Sequence, residues 1–306
     1  MMNKKILVLM STYNGEQYLK LQLDSILAQE NVRIALLIRD DGSQDSTKQI
    51  LRNYRERFPE QIFLLFGENV GCKKSFFFLI QHAARQFGTY DYYAFADQDD
   101  VWLKNKIYLG VVALDKEDNP YRMYYCDPML VDESLNRLFE RHYKAKGTLE
   151  ESFILQPCLG CTMVFSSELL FKFALSDPER SDIHDSWCYR VNLALGGVIC
   201  YDSKCLILYR QHQQNCIGGK QTFKAKWSRR FTQFVQNNQL RSRHAKEIKH
   251  VYAEWIPFRT LKILDELIEY KNSLYLKFRI VFSARYMSNK VLHNILFRIS
   301  ILTNRI

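Results

Sequence analysis

Four apolar runs alternate with three stretches of helical spacing before residue 97, and few folds accept that order. Ile6–Met10, Ala35–Ile38, Ile62–Phe66 and Tyr92–Ala96 read as strands. Glu16–Gln29 sets Tyr18, Leu19, Leu21, Leu23, Ile26 and Leu27 at helical intervals. Asp45 or Ser46 opens a second helix, which Pro59 stops after Phe58, and Ser75–Phe87 forms a third. This βαβαβαβ order calls for an α/β fold with a mostly parallel central sheet and right-handed crossovers. Unbroken apolar runs suit strands covered on both faces. Ligands of such sheets sit beyond the carboxyl ends of the strands, so the residues that follow each run carry the functional information.

Three of those ends are polar. The first strand runs into Ser11-Thr12-Tyr13-Asn14-Gly15, which offers hydroxyls, an amide and a ring face for a base. It lacks a GxGxxG pattern, which argues against a dinucleotide fold. A capped helix start explains that turn equally well. The second strand ends Arg39-Asp40-Asp41-Gly42-Ser43. A carboxylate there can accept from N3–H of uracil or thymine and would repel phosphate, so it favours a pyrimidine base. The fourth strand ends Asp97-Gln98-Asp99-Asp100, three carboxylates in four positions. Such carboxylates repel one another unless a cation lies between them. Oxygen ligation suits a hard cation, Mg2+ or Mn2+. Acidic capping of a helix start is the plain alternative.

The ordered series STYNGEQYL, IRDDGSQDST, NVG and ADQDDVW resembles family 2 glycosyltransferases with a GT-A fold. Gly160-Cys161-Thr162-Met163, Ile183-His184-Asp185-Ser186-Trp187 and Tyr209-Arg210-Gln211-His212-Gln213-Gln214-Asn215 extend the likeness to rhamnosyltransferase-like bacterial members. The resemblance spans about residues 3–218 and implies roles position by position. Ser11, Tyr13 and Asn14 lie in the turn that binds the nucleotide sugar. Asp41, with Asp40 beside it, reads the base. Asp97 and Asp99 match a DxD motif, with Asp99 the metal ligand and Asp97 nearer the ribose or a metal-bound water. Asp100 is expected behind that ligand. Asp185 matches the catalytic base, His212 completes the metal site or touches the diphosphate, and His184 is structural or meets the acceptor. Lys104 departs from the proline common in relatives, a change expected to stay local to a helix start. Asp185 alone would also read as the N-cap of a helix over Ser186–Leu195.

The implied reaction is inverting transfer of one sugar, L-rhamnose from dTDP-rhamnose, to a lipid-linked polysaccharide intermediate. A UDP-sugar donor is the alternative within the same class. A catalytically inactive glycan-binding or scaffold protein is the alternative outside it. No QxxRW-like sequence appears, which argues against processive synthesis.

Charge divides the chain. Residues 1–219 carry a net −3 and residues 220–306 a net +13. The sequence therefore reads as a catalytic domain over 1–219 and a basic helical extension over 220–306, divided near Gly218-Gly219. In the extension, Leu261, Leu264, Ile268, Tyr275 and Phe278 approximate one helical stripe. Val291, Leu292, Ile295, Leu296 and Ile299 form another, ringed by Lys290, Arg298 and Arg305. Basic amphipathic helices suit an anionic membrane surface, and packing on the body or forming a homodimer are the other uses. Every motif precedes Lys220, so the body is expected to act without the extension. No nucleic-acid readout motif appears. With no secretory leader or spanning stretch read at the start, the expected location is the cytoplasmic face of the cell membrane. Eight cysteines read as free thiols, and Cys158 with Cys161 reads as packing near a pocket rather than a zinc or redox pair.

Overall fold

The computed structural model describes residues 4–212 and 239–306. The boundary near Gly218-Gly219 and the end of the last motif, Gln213 to Asn215, lie outside the described residues. The chain opens β1 (Lys5–Thr12), α1 (Leu19–Leu27), β2 (Arg33–Asp40), α2 (Thr47–Arg57), β3 (Ile62–Phe66), α3 (Cys72–Gln86) and β4 (Tyr92–Ala96). These strands run parallel in the order β3-β2-β1-β4. Side chains alternate across them with period two. Ile6, Val8, Met10, Tyr92 and Ala94 enter the core under α1 and α2. Leu7, Leu9, Tyr93 and Phe95 enter the opposite core under α3. The third crossover returns past β1 to place β4 on its other side, so the strand order reverses between β1 and β4. A crevice opens at the carboxyl ends of two such strands.

Beyond β4 the sheet is mixed. It continues with β5 (Val101–Trp102), α4 (Lys106–Leu114), β6 (Arg122–Val131), β7 (Arg137–Glu140), α5 (Leu149–Ser152), β8 (Met163–Ser166), α6 (Ser167–Phe173), α7 (His184–Ala194) and β9 (Val198–Arg210). β8 lies antiparallel between β4 and β6, and β9 runs parallel to β6. β5 pairs antiparallel with the far end of β9, setting Val101 opposite Leu208. That pairing carries the end of β9 to the acidic end of β4. Lys104 sits exposed just before α4 and pairs with Glu30 at 3.2 Å, local as expected.

Among the described residues four helices follow: Leu240–Tyr252, Phe258–Glu269, Leu274–Phe282 and Val291–Leu302. The first two are not an appendage. Ala245, Ile248, Tyr252, Leu264 and Leu267 are buried in the core that holds Leu37, Phe95 and Trp187. Trp187 Nε1 donates to Ser176 Oγ at 2.7 Å, and that oxygen lies 2.6 Å from the Tyr252 hydroxyl. The helix bearing Asp185 is thus packed against the C-terminal region, the arrangement in which the extension packs on the body. The stripe read across Leu261 to Phe278 also divides. A 3-10 turn at Tyr270–Asn272 separates two helices, leaving Leu264 buried but Tyr275 and Phe278 exposed.

Leu264 and Leu37 are both fully buried in this one core. Leu264→Ala is therefore expected to cost about 2–5 kcal/mol, as Leu37→Ala would, in a single urea transition. A body transition untouched by Leu264→Ala would show that the C-terminal helices fold separately.

Candidate active site

The turn after β1 and the loop after β2 are fastened to each other. Asn14 N donates to Ser43 Oγ at 2.9 Å and Gly15 N to Thr47 Oγ1 at 2.8 Å. Gln44 N donates to Asn14 Oδ1 at 2.8 Å. Asn14 takes a left-handed φ of 47°, which asparagine tolerates. Its side-chain oxygen thus joins two loops. Gly42, at φ 83°, lies so close to the loop after β3 that a Cβ would stand 2.9 Å from Asn69 N. Only glycine meets both demands there.

Asp40 and Asp41 are both buried, and protein groups engage both carboxylates. Asp40 accepts from Ser43 N at 3.0 Å, Ser43 Oγ at 2.5 Å and Thr12 Oγ1 at 3.2 Å. Asp41 pairs with the Arg39 guanidinium and accepts from Val70 N at 3.0 Å and Gly71 N at 2.9 Å. Arg39 donates onward to Ser75 Oγ at 3.1 Å, which lies 2.6 Å from Ser11 Oγ. Ser11, Asp40 and Asp41 therefore share one corner, where they shape the loops that border the crevice. Tyr13 keeps 46% of its surface exposed and offers the ring face beside them. Arg39 was not singled out in the sequence. Its position on a buried strand just before two carboxylates was the available signal.

The end of β4 is tied to the turn after β1. Tyr13 N donates to Gln98 Oε1 at 2.8 Å, and Gln98 Nε2 donates to Tyr13 O at 3.0 Å. Buried Gln22 donates to Asp97 O at 2.9 Å. The middle residue of the DxD motif thus holds the crevice, a role sequence reading missed because a glutamine between two aspartates carries no obvious chemistry.

Asp99 Oδ2 lies 2.7 Å from His212 Nε2. Arg210 arranges this meeting: its N donates to Asp100 Oδ1 at 3.1 Å and its Nε to Asp99 O at 2.8 Å, while its guanidinium lies over the Tyr18 ring. A carboxylate oxygen and an imidazole nitrogen at one partly exposed point suit Mn2+ or Mg2+. A second group, Asp97, Asp100 and Cys161, brings its donor atoms within 4.8 Å of one another. Asp100 and Cys161 are buried, and burial raises the Asp100 carboxyl and the Cys161 thiol well above their ordinary ranges. Two members of that group are buried, whereas Asp99 and His212 are both partly exposed, so that pair is the more accessible candidate cation site, with Asp100 behind it. Burial, with the charges of Asp99 and Asp185, pushes the Asp97 carboxyl up to about 7.

Asp185 sits in the first turn of α7, while Ile183 occupies the cap position. Its Oδ2 accepts from Gly160 N at 3.2 Å and its Oδ1 from Ser186 N at 2.6 Å. Burial raises its carboxyl to about 6, with these backbone donors opposing. Gly160 belongs to the 3-10 turn Gly160–Thr162, and a Cβ there would lie 2.6 Å from His184 Nε2 and 3.3 Å from Asp185 Cβ. Sequence reading quoted Gly160 without assigning it a role. His184 is buried between Phe76, 3.8 Å away in a stacked geometry, and Phe95, 4.9 Å away edge-on. Burial lowers its imidazole to about 3, so it is a neutral packing group next to Asp185. Cys158 and Cys161 are buried free thiols, as expected.

A parallel sheet that reverses at β1 and β4, with a DxD motif and a buried aspartate facing one crevice, defines a GT-A glycosyltransferase fold. Residues 7–172 match the glycosyl transferase family 2 model. The dTDP-rhamnosyl transferase RfbG of Shigella flexneri is 33% identical over 236 residues, covering 72% of this chain and 77% of that protein. This chain belongs to glycosyl transferase family 2. The crystal structure of S. aureus TarS 1–349 shares the fold with a TM-score of 0.57 at 16% identity, over 98% of this chain and 79% of that one. The mannosyltransferase PcManGT from Pyrobaculum calidifontis, in complex with GDP-Man and Mn2+, does so with a TM-score of 0.51 at 14% identity, over 99% and 88%.

Gly160→Ala adds a methyl group where the turn passes His184 and Asp185. It is expected to displace the Asp185 carboxylate and lower kcat for sugar transfer at least about tenfold, with little change in KM for the donor. Wild-type kcat in a folded Gly160→Ala protein would show that this contact does not position Asp185.

Proposed function

We propose that this family 2 glycosyltransferase moves one sugar, L-rhamnose from dTDP-rhamnose, to a lipid-linked glycan acceptor with inversion at the sugar carbon. The observation that carries the reading is Asp185: a buried carboxylate, raised to about 6, oriented by two backbone donors and close enough to the DxD motif for its charge to raise the Asp97 carboxyl. A base with that pKa is ionised at neutral pH yet basic enough to take a hydroxyl proton during displacement. In one step the acceptor oxygen bonds to the anomeric carbon, its proton passes to Asp185, and the bond to the diphosphate oxygen breaks. Asp99 and His212 would hold a divalent cation, Mn2+ or Mg2+, which when bound would neutralise charge on the diphosphate.

The name and 33% identity of the Shigella relative favour dTDP-rhamnose as donor. Tyr13, exposed at the corner it shares with Ser11, Asp40 and Asp41, offers a ring face on which a thymine base could stack. A UDP-sugar remains the second donor to test, since uracil presents the same N3–H. An inactive scaffold would have no use for a base held by Gly160 N and a His212–Asp99 pair brought together across 113 residues. The positive charge of the C-terminal region supports an acceptor at the cytoplasmic membrane face.

A pair of variants separates the two halves of this chemistry. Asp185→Asn is expected to keep donor affinity and lose transfer by about two to four orders of magnitude. A carboxyl whose pKa is raised by folding stabilises the protein only in its neutral form, and that contribution is lost as pH rises through about 6. Asp185→Asn should therefore melt no lower than wild type at pH 8. Asp99→Ala should instead weaken Mn2+-dependent donor binding. Collapse of donor affinity in Asp185→Asn, or unchanged Mn2+-dependent binding in folded Asp99→Ala, would overturn these assignments.

A further inference from the structure

The last two helices present surface that sugar transfer does not use. Leu274–Phe282 and Val291–Leu302 pack on the body through Ile280, Val281, Phe297 and Ile301, all buried. Their outward faces are apolar as well. Leu274, Tyr275, Phe278 and Phe282 are 53–77% exposed on the first helix. Val291, Ile295, Ile299 and Leu302 are 41–74% exposed on the second. Spacings of three and four residues set each group on one stripe. Eight large apolar side chains on two neighbouring helices exceed the single exposed residues ordinary on a soluble surface.

The charge beside them has one sign. From Tyr270 to Ile306 the chain carries seven Lys and Arg and no Asp or Glu. Arg279 and Arg285 reach inward to Glu266, at 2.5 and 3.0 Å. Lys277 is partly exposed on the first helix, and Lys290, the cap residue just before the second, is exposed with its ammonium 5.5 Å from the centre of the Tyr143 ring. A second copy fits this face poorly, because a two-fold contact would set cationic surfaces against each other. Among the described residues no helix is long and apolar enough to cross a membrane. Short helices with an apolar stripe and basic flanks lie in the plane of a bilayer interface.

We infer that the outward stripes of Leu274–Phe282 and Val291–Leu302 form a docking surface for a bilayer containing anionic lipid. Phe278, Phe282, Val291 and Ile295 enter the headgroup boundary, and Lys277 and Lys290 meet lipid phosphates. This specifies the membrane placement within the transferase reading and rests on that reading only for the acceptor it would serve. The surface also adjoins the body near α5, where Arg285 approaches Glu150 at 3.8 Å and Asn289 donates to Lys144 O at 3.1 Å.

The test floats the full chain with vesicles of phosphatidylcholine alone or mixed with phosphatidylglycerol, without donor or acceptor. Wild type should float with the anionic vesicles, and high salt should remove part of the binding, because screening spares the apolar contribution. The variant F278S/F282S/V291S/I295S should bind at least about tenfold more weakly, as should K277E/K290E. Light scattering should give a monomer for all three. Wild type that stays with the unbound fraction would overturn the inference. So would equal flotation of wild type and both variants, or a wild-type dimer that the serine variant separates. Should the serine variant lose its thermal transition, K277E/K290E decides. No sugar nucleotide enters the assay, so its failure leaves the transferase reading standing, and absence of transfer leaves this inference standing.

Discussion

Carboxylates gathered at one end of a sheet are the constraint around which this protein is built. Asp97, Asp99, Asp100 and Asp185 come from the end of β4 and the start of α7, and like charges at that range oppose folding. The structure meets the cost in different ways at each position. Asp100 is buried, which pushes its carboxyl pKa up, and Arg210 N donates to it. Asp99 has His212. Asp185 is ringed by backbone donors and raised to about 6. The same devices that make the cluster tolerable differentiate its members: one carboxylate is buried and raised to about 6, another lies beside an imidazole.

The scaffold that holds these groups is a pair of ties across the crevice. Gln98 exchanges two hydrogen bonds with the Tyr13 backbone and so fixes the distance between the ends of β1 and β4. β9, paired with β5, delivers Arg210 and His212 from more than a hundred residues away. The C-terminal helices complete the arrangement from behind. Trp187, two positions after Asp185, reaches Ser176 and through it Tyr252. The helix bearing the base is thereby braced by a region whose charge alone suggested a detachable tail.

Much of the first half was legible because its signals are local. Unbroken apolar runs named β3 and β4 to the residue, and helix ends fell within a few positions. The DxD carboxylates, Asp185 and His212 were found through ordered motifs, and the structure brings Asp99 to His212 directly. Roles that depend on approach between distant segments were not legible. Arg39 as partner of Asp41, Gln98 as a tie and Gly160 as the donor to Asp185 each require knowing which loops meet. The C-terminal region misled for a similar reason. Net charge describes what faces water, whereas Ala245, Ile248, Tyr252 and Leu264 are buried, and the inward faces of Leu240–Tyr252 and Phe258–Glu269 decide that the region belongs to the core.

The central claim is that Asp185 is the group that accepts the proton. The most direct measurement is the pH profile of kcat/KM for transfer from dTDP-rhamnose, wild type against Asp185→Asn. Because the ionised form is the active one, wild-type activity should fall about tenfold per unit as pH drops below about 6 and level off above it. In Asp185→Asn that inflection should vanish along with most of the rate. A wild-type profile flat between pH 5 and 7, or the same inflection retained in Asp185→Asn, would contradict the account.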